Sequence, residues 1–246
     1  MVPLYGPIFG PAFWGLSRIS RALEALGVWQ WFNYWASRVT PGKKLLNINM
    51  DETSVTLCPG ARTGNTFHTA RKRKNADEPT MRVTRASKRT NLTHVAFICD
   101  DVTLQPRLPQ IIIGNARSLL ARDMPGHIAN APPNVVLLRQ KSSWNSVDVM
   151  LRIIRHIGRF LESVPEYEAV FYLDAARIHI HASIAAACRR KNIRLVILPA
   201  KLTWLLQPCD THVFFRYKYL FKSLYHQKRG EHGNTDLPMS VFLRIV

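Results

Sequence analysis

The sequence is poor in acidic residues, which number 16 against 34 lysines and arginines, so its formal net charge is +18. A chain this basic attracts polyanions, and nucleic acid is the commonest of them. Charge alone leaves open a basic protein that meets acidic membranes. Hydrophobic residues still make up 47% of the chain, which excludes global disorder and allows a sizeable core.

Cysteine is also scarce. The four cysteines are Cys58, Cys99, Cys188 and Cys209. They form no CxxC pair, and none has zinc-finger spacing to a histidine, so a structural zinc site is not expected. We predict reduced, mostly buried thiols of an intracellular protein.

A membrane signal is missing as well. Residues 1–17 carry no charged side chain, but no basic region precedes this apolar stretch as it would in a signal peptide. Arg18, Arg21 and Glu24 then interrupt any membrane span. We therefore expect neither secretion nor membrane insertion.

The spacing of apolar residues predicts an α/β fold with a mixed sheet. Strands are predicted over 45–57, 93–99, 110–114, 135–138, 169–173 and 194–198, and helices over 14–39, 145–161, 180–191 and 208–226. An antiparallel meander therefore comes first and βα units follow. This pattern divides the chain into an apolar, helical segment 1–43, a domain 44–228 and a C-terminal tail 229–246.

A basic insertion interrupts the domain at about 60–90. Residues 62–89 contain nine basic and two acidic side chains and few large apolar ones, so we predict a mobile loop. Its run Arg71, Lys72, Arg73 and Lys74 suits a nuclear localisation signal or a contact to the DNA backbone. An insertion without a role is the alternative.

Three aspartates stand where predicted elements begin or end. Asp51 ends the alternating part of the first strand, Asp174 directly follows the run 169–173, and Asp210 comes two residues after Pro208. Converging carboxylates hold divalent cations in phosphoryl-transfer enzymes. Singly, however, strand-end aspartates also cap turns, and an acid in a first helical turn favours the helix dipole. The residues alone indicate a basic α/β domain, with a nuclease as one interpretation.

Longer motifs carry a family resemblance. They are Tyr172-Leu173-Asp174-Ala175-Ala176-Arg177-Ile178-His179 and the stretch from Leu198 to Asp210, with its Leu-Pro, Thr, Leu-Gln-Pro and final Asp. Weaker motifs are Asn49-Met50-Asp51-Glu52-Thr53 and Ser143-Trp144-Asn145. Together, over about residues 44–226, they resemble the DDE superfamily endonuclease domain of pogo, Tigger and jerky transposases, a family to which centromere protein B is related.

The resemblance implies an RNase H-like catalytic domain that cleaves and transfers DNA strands with a pair of Mg²⁺ or Mn²⁺ ions. Its catalytic, metal-binding carboxylates would be Asp51, Asp174 and Asp210. The supporting residues would be Glu52, His179, Thr203 and Gln207. Nucleic-acid contacts are expected at Arg71, Lys72, Arg73, Lys74, Arg216, Lys218 and Lys222. The expected partner is DNA, the expected location is the nucleus, and a homodimer stays open.

Two departures from the family pattern keep other hypotheses open. Ala175 and Arg177 stand where the family has Asn and Pro, and no helix-turn-helix region precedes the first strand, so the chain resembles a fragment. One alternative is a domesticated or decayed transposase core that binds DNA without cutting it, and another is a ribonuclease or resolvase of the same fold. Because like charges repel, the enzyme hypothesis also predicts a raised pKa for at least one aspartate in the absence of metal.

Overall fold

A six-stranded sheet forms the centre of the protein. The computed structural model describes residues 26–27, 30, 32–56, 91–198, 203–233 and 237–245. The strands are β1 (Lys44–Thr56), β2 (Asn91–Cys99), β3 (Gln110–Asn115), β4 (Val135–Gln140), β5 (Tyr167–Leu173) and β6 (Arg194–Ile197). They lie side by side in the order β4-β3-β2-β1-β5-β6.

The strand directions confirm the mixed sheet that the sequence predicts. β1, β2 and β3 pair antiparallel, as a meander. β5 runs parallel to β1, and β6 runs parallel to β5, as expected of βα units. β4 joins the far edge parallel to β3, a pairing that the order of elements along the chain does not reveal. The architecture is α/β and RNase H-like.

Helices cover both faces of this sheet. They are α1 (Met124–Ala129), α2 (Val147–Glu162), α3 (Ala182–Arg190), α4 (Thr203–Leu206), α5 (Phe214–Glu231) and α6 (Met239–Phe242). Short 3₁₀ turns lie at Gln105–Arg107 and Ala121–Asp123, and a π-helical turn, Cys209–Val213, leads into α5. The helix predicted over 208–226 therefore begins as a π turn and extends to Glu231. The unpredicted helices are too short to establish a periodic pattern.

Alternation along β1 assigns its side chains to two different faces. Leu46, Ile48 and Met50 are fully buried in the main core, together with apolar side chains of α2 and α3. The intervening Asn47, Asn49 and Asp51 face the opposite side. α2 begins at a serine cap, since Ser146 Oγ accepts a hydrogen bond from the Val149 N–H at 3.3 Å. Burial of each large aliphatic side chain contributes about 1.5–3 kcal/mol.

The C-terminal residues contribute to a second core on the other face. Phe221 and Tyr225 of α5 pack with Val55 and Leu92 of the sheet, and Phe242 of α6 is fully buried among them. These contacts include described residues of the segment 229–246, which the sequence predicts as a C-terminal tail.

Some predicted features lie outside the described residues. These are the basic insertion at about 60–90, with Arg71, Lys72, Arg73 and Lys74, and most of the helix expected over 14–39, of which 32–36 is helical. Among the helices that are described, none has the length and apolar composition needed to cross a membrane.

Candidate active site

Asp51 lies in the middle of β1, and Asp174 directly follows the neighbouring strand β5. β1 and β5 are neighbours and parallel, and the last pair in their register is Asn49 with Tyr172. Continuing that register by two places sets Asp51 opposite Asp174. Because neighbouring strands are about 4.8 Å apart, the two backbones are close at this point.

The π turn carries Asp210 to the same place. Asn49 fixes the turn, because its Nδ2 donates to the Tyr172 carbonyl at 3.2 Å and its Oδ1 accepts from the Cys209 N–H at 3.2 Å. Asn49 is itself buried, so β1, β5 and the turn are joined through one side chain. Cys209 also packs on Ala96, the β2 residue paired with Asp51. These contacts bring Asp210 near enough for its charge to act on Asp51.

Asp51 has an unusual environment for a carboxylate. It is only 8% exposed, and burial raises the pKa of Asp51 to about 7. A hydrogen bond from the Glu52 N–H, 2.8 Å from Asp51 Oδ1, opposes this rise, whereas the negative charge of Asp210 adds to it. The raised pKa expected for one aspartate is confirmed, although burial outweighs charge repulsion as its cause.

Asp174 is held by a histidine. Its Oδ1 lies 2.5 Å from His179 Nδ1 and also accepts from the Ala176 N–H at 3.0 Å. The hydrogen bond with His179 lowers the pKa of Asp174, although burial opposes it. The turn after β5 therefore closes on Asp174 even with Ala175 and Arg177 in place of Asn and Pro.

His179 bridges two acidic side chains. It is 1% exposed, and its Nε2 is 3.4 Å from Glu52 Oε1, a separation that favours electrostatic attraction over a well-formed hydrogen bond. Burial lowers the pKa of His179, but its contacts with Asp174 and Glu52 and their charges prevail and raise this pKa to about 9. At neutral pH the ring is therefore a cation between two carboxylates.

The bridge continues to the start of α2. Asn145 Nδ2 donates to Glu52 Oε1 at 2.5 Å, so Asp174, His179, Glu52 and Asn145 form one polar chain across β5, β1 and α2. Asn145 ends the weak Ser-Trp-Asn motif. The sequence singled out that motif but gave no reason to connect Asn145 with Glu52.

Gln207 lies on the other side of Asp51. Its side chain hydrogen-bonds to Asp51 and lowers the pKa of that carboxyl in opposition to burial. Gln207 is 1% exposed, and its Oε1 has no hydrogen-bond partner among the described residues. An amide oxygen without a hydrogen-bond partner, on a side chain that contacts a carboxylate, is a ligand type that suits a hard cation such as Mg²⁺.

The carboxylates are only partly gathered. Within the described ranges, no three His, Cys, Asp or Glu side chains lie close enough together to hold a metal ion. The charge of Asp210 acts on Asp51, while Asp174 turns toward His179. Asp51, Asp210 and Gln207 carry oxygen donors of the type that binds a divalent cation. Asp174 uses Oδ1 for His179 and the Ala176 N–H, which leaves Oδ2 for a cation.

The remaining predicted residues have separate positions. Arg216, Lys218 and Lys222 are exposed along α5, with Lys218 Nζ 5.6 Å from the centre of the Phe214 ring. Thr203 is the first residue of α4, and its side chain lies outside the described part of the chain.

The sheet order and its central acidic residues define an α/β protein of RNase H-like architecture. The family model of the DDE superfamily endonuclease matches residues 91–246, and the chain belongs to this family. The match contains Asp174 and Asp210. It begins after Asp51, which β1 places beside the end of β5. No protein of curated function matches the chain. The resemblance to the DDE family is thus confirmed, while the grouping with pogo and Tigger stays a prediction.

Similar solved structures are complexes of the Mos1 transposase. One is a paired-end complex with the left transposon end, at 11% identity and a TM-score of 0.44. Others are mariner paired-end complexes with Mn and with Mg, each at 11% identity, with TM-scores of 0.43 and 0.42. The likeness covers 87–88% of this chain and 54–55% of those chains. The protein thus spans about half the length of the Mos1 chain.

Asn49→Ala is expected to lower the free energy of unfolding by about 1–3 kcal/mol, because it leaves the Tyr172 carbonyl and the Cys209 N–H without this partner. Urea unfolding followed by circular dichroism measures the loss. Asn130→Ala is the control, since Asn130 is exposed and bonds only within the end of α1. Equal stability of the two variants would contradict a linking role for Asn49.

Proposed function

We propose that the chain is the catalytic core of a transposase-type endonuclease that cleaves and transfers DNA strands with Mg²⁺ or Mn²⁺. The observation that carries this proposal is the buried carboxyl of Asp51, whose pKa is raised first by burial and further by the negative charge of Asp210. Such a pair is costly without a positive charge nearby. A divalent cation between the two carboxylates would remove that cost.

The chain's own residues have distinct tasks in this proposal. Asp51, Asp210 and the Gln207 amide oxygen would hold the metal, and Asp174 would complete the set. When bound, the cations would polarise the scissile phosphate and activate the attacking oxygen. Asp51 must lose its proton to bind a cation, so metal affinity should rise as pH increases toward about 7. The protonated His179 keeps Asp174 ionised and oriented until it is needed.

DNA is the proposed substrate because of the family and the charge. The net charge of +18 favours a polyanion, and Arg216, Lys218 and Lys222 present exposed cations on the helix that follows Asp210. A nuclear location and homodimer formation belong to the same proposal.

The direct test is metal-dependent nicking of supercoiled DNA by the whole chain. The wild-type protein should nick with Mg²⁺ or Mn²⁺ and stop when the metal is chelated. Asp210→Asn should reduce the rate by roughly 10³-fold, since metal-assisted charge stabilisation is worth several kcal/mol. Asp123→Asn is the matched control, because Asp123 is an exposed acid in the 3₁₀ turn before α1.

A second function is favoured by one observation: within the described ranges the acidic side chains are not gathered into a metal-holding group. If a third carboxylate never joins Asp51 and Asp210, the chain is a transposase-derived core that binds DNA without cutting it. Binding of DNA with no nicking at any Mg²⁺ or Mn²⁺ concentration would support this alternative. Cleavage of RNA in preference to DNA would instead indicate a ribonuclease of the same fold.

A further inference from the structure

The outer face of α5 carries large apolar side chains in water. Phe215 is 83% exposed and Tyr219 is 68% exposed, and Leu220 beside them is half exposed. Phe215 and Tyr219 are four residues apart, so they lie next to each other on the helix, separated by about 6 Å along its axis. Neither ring contacts another aromatic ring among the described residues.

The fold does not account for this exposure. The opposite side of α5 already holds the helix on the sheet, because Phe214, Phe221 and Tyr225 are buried there. Attachment of α5 therefore needs no aromatic residue on the outer side. Exposed aromatic rings next to one another are unusual on a soluble surface and mark a binding site.

Basic side chains surround the two rings. Arg216 adjoins Phe215, and Lys222 lies one turn beyond Tyr219 on the same side. Within the described part of the chain, neither forms an ion pair with an acidic residue. The charges are therefore free for a ligand that carries negative charge, and the rings require one that also has flat apolar faces.

The face also adjoins the candidate active site. The π turn that contains Asp210 continues directly into α5, and Phe215 follows Asp210 by five residues, about 7.5 Å along a helix. A DNA strand whose phosphate lies at Asp210 would have its next nucleotides within reach of this surface.

We infer that Phe215 and Tyr219 stack on unpaired bases of the DNA strand beside the candidate active site, while Arg216 and Lys222 contact its phosphates. The inference rests on the proposed function and adds a preference for single-stranded nucleotides at this site. Aromatic rings alternating with cations are the chemistry by which proteins hold single strands without reading their sequence. In duplex DNA the base faces are stacked on one another and unavailable to the rings.

The test compares a short fluorescent single strand of mixed sequence with the same strand in a duplex, both without metal, by fluorescence anisotropy. The Phe215→Ala/Tyr219→Ala double variant should bind the single strand about 10–100-fold more weakly and the duplex almost unchanged. Its salt dependence should not change, because no charge is lost. Arg216→Ala/Lys222→Ala should instead reduce the salt slope by about 0.7 for each lost phosphate contact.

Matched variants complete the experiment. Leu224→Ala removes an exposed apolar side chain from the same helix and should leave both affinities unchanged. Tyr219→Phe should retain single-strand binding, since stacking needs the ring and not the hydroxyl. Circular dichroism should give the same unfolding midpoint for the aromatic double variant as for Leu224→Ala.

Two results would overturn the inference. One is equal weakening of single-strand and duplex binding by the aromatic double variant. The other is a wild-type dimer that this variant converts to a monomer in sedimentation, which would make the face an interface between two copies of the chain. Nicking of plasmid by the wild type reports separately on the proposed function. If the wild type does not nick plasmid but the aromatic double variant selectively weakens single-strand binding, the proposed function fails and the inference stands. If the wild type nicks plasmid but the variant weakens single-strand and duplex binding equally, the inference fails and the proposed function stands.

Discussion

Asp51→Asn is expected to abolish metal-dependent nicking and, above about pH 7, to raise the free energy of unfolding. The pKa of Asp51 is about 7 in the folded chain against an ordinary value of 3.8, so the folded state binds more protons than the unfolded state between these limits. Stability must then fall as pH rises through that window. The neutral amide removes this loss, which amounts to up to about 4 kcal/mol at about 1.4 kcal/mol per unit of pKa.

Urea unfolding of both proteins across that pH range measures the effect. The variant and the wild type should be similar in stability near pH 3.8 and should diverge progressively toward pH 7. Asp123→Asn again serves as the control, since an exposed carboxyl should give the same pH dependence as the wild type. A constant difference in stability between Asp51→Asn and the wild type at all pH values would show that folding does not raise the pKa of Asp51.

The periodic parts of the fold could be predicted from the sequence. Leu46, Ile48 and Met50 alternate with polar residues, and that alternation alone predicts a strand with one buried face. The apolar stripe of the helix predicted over 145–161 likewise matches α2, Val147–Glu162. Local patterns succeed there because each side chain's burial follows from its place in the repeat.

The site's internal contacts could not be predicted, because they join residues far apart in sequence. Nothing near Asn145 indicates that it bonds to Glu52, which lies 93 positions earlier. Asn49 alternates as an ordinary strand residue, yet it contacts the turn that carries Asp210. These contacts depend on strand register and on helix placement, which only the whole fold determines.

At Cys209–Val213 the sequence predicts the helix correctly but not its π-helical geometry. Apolar spacing predicts one helix from Pro208 onward, and the chain is indeed helical there, but it widens for five residues before α5 begins. A single π turn changes the direction of its side chains without interrupting the helical pattern. Such turns are frequent at functional sites, and this one contains Asp210.

His179→Gln is expected to destabilise the chain by roughly 3–5 kcal/mol, because it removes the cation between two partly buried carboxylates. The pKa of His179 is raised from 6.5 to about 9 by Asp174 and Glu52 in opposition to burial. A raised histidine pKa contributes stability that is complete below pH 6.5 and is lost as pH rises through about 9. The difference between variant and wild type should therefore be largest in acid and should shrink in base.

The free energy of unfolding below pH 6.5 and above about pH 9 checks this sign. His226→Gln is the matched control, since His226 is exposed on α5 and its replacement should have little effect at either pH. An equal loss for His179→Gln at both pH values would mean that the ring acts by its shape and not by its charge. In that case Asp174 would not depend on the imidazolium, and it would be free to turn toward Asp51 without first displacing a cation.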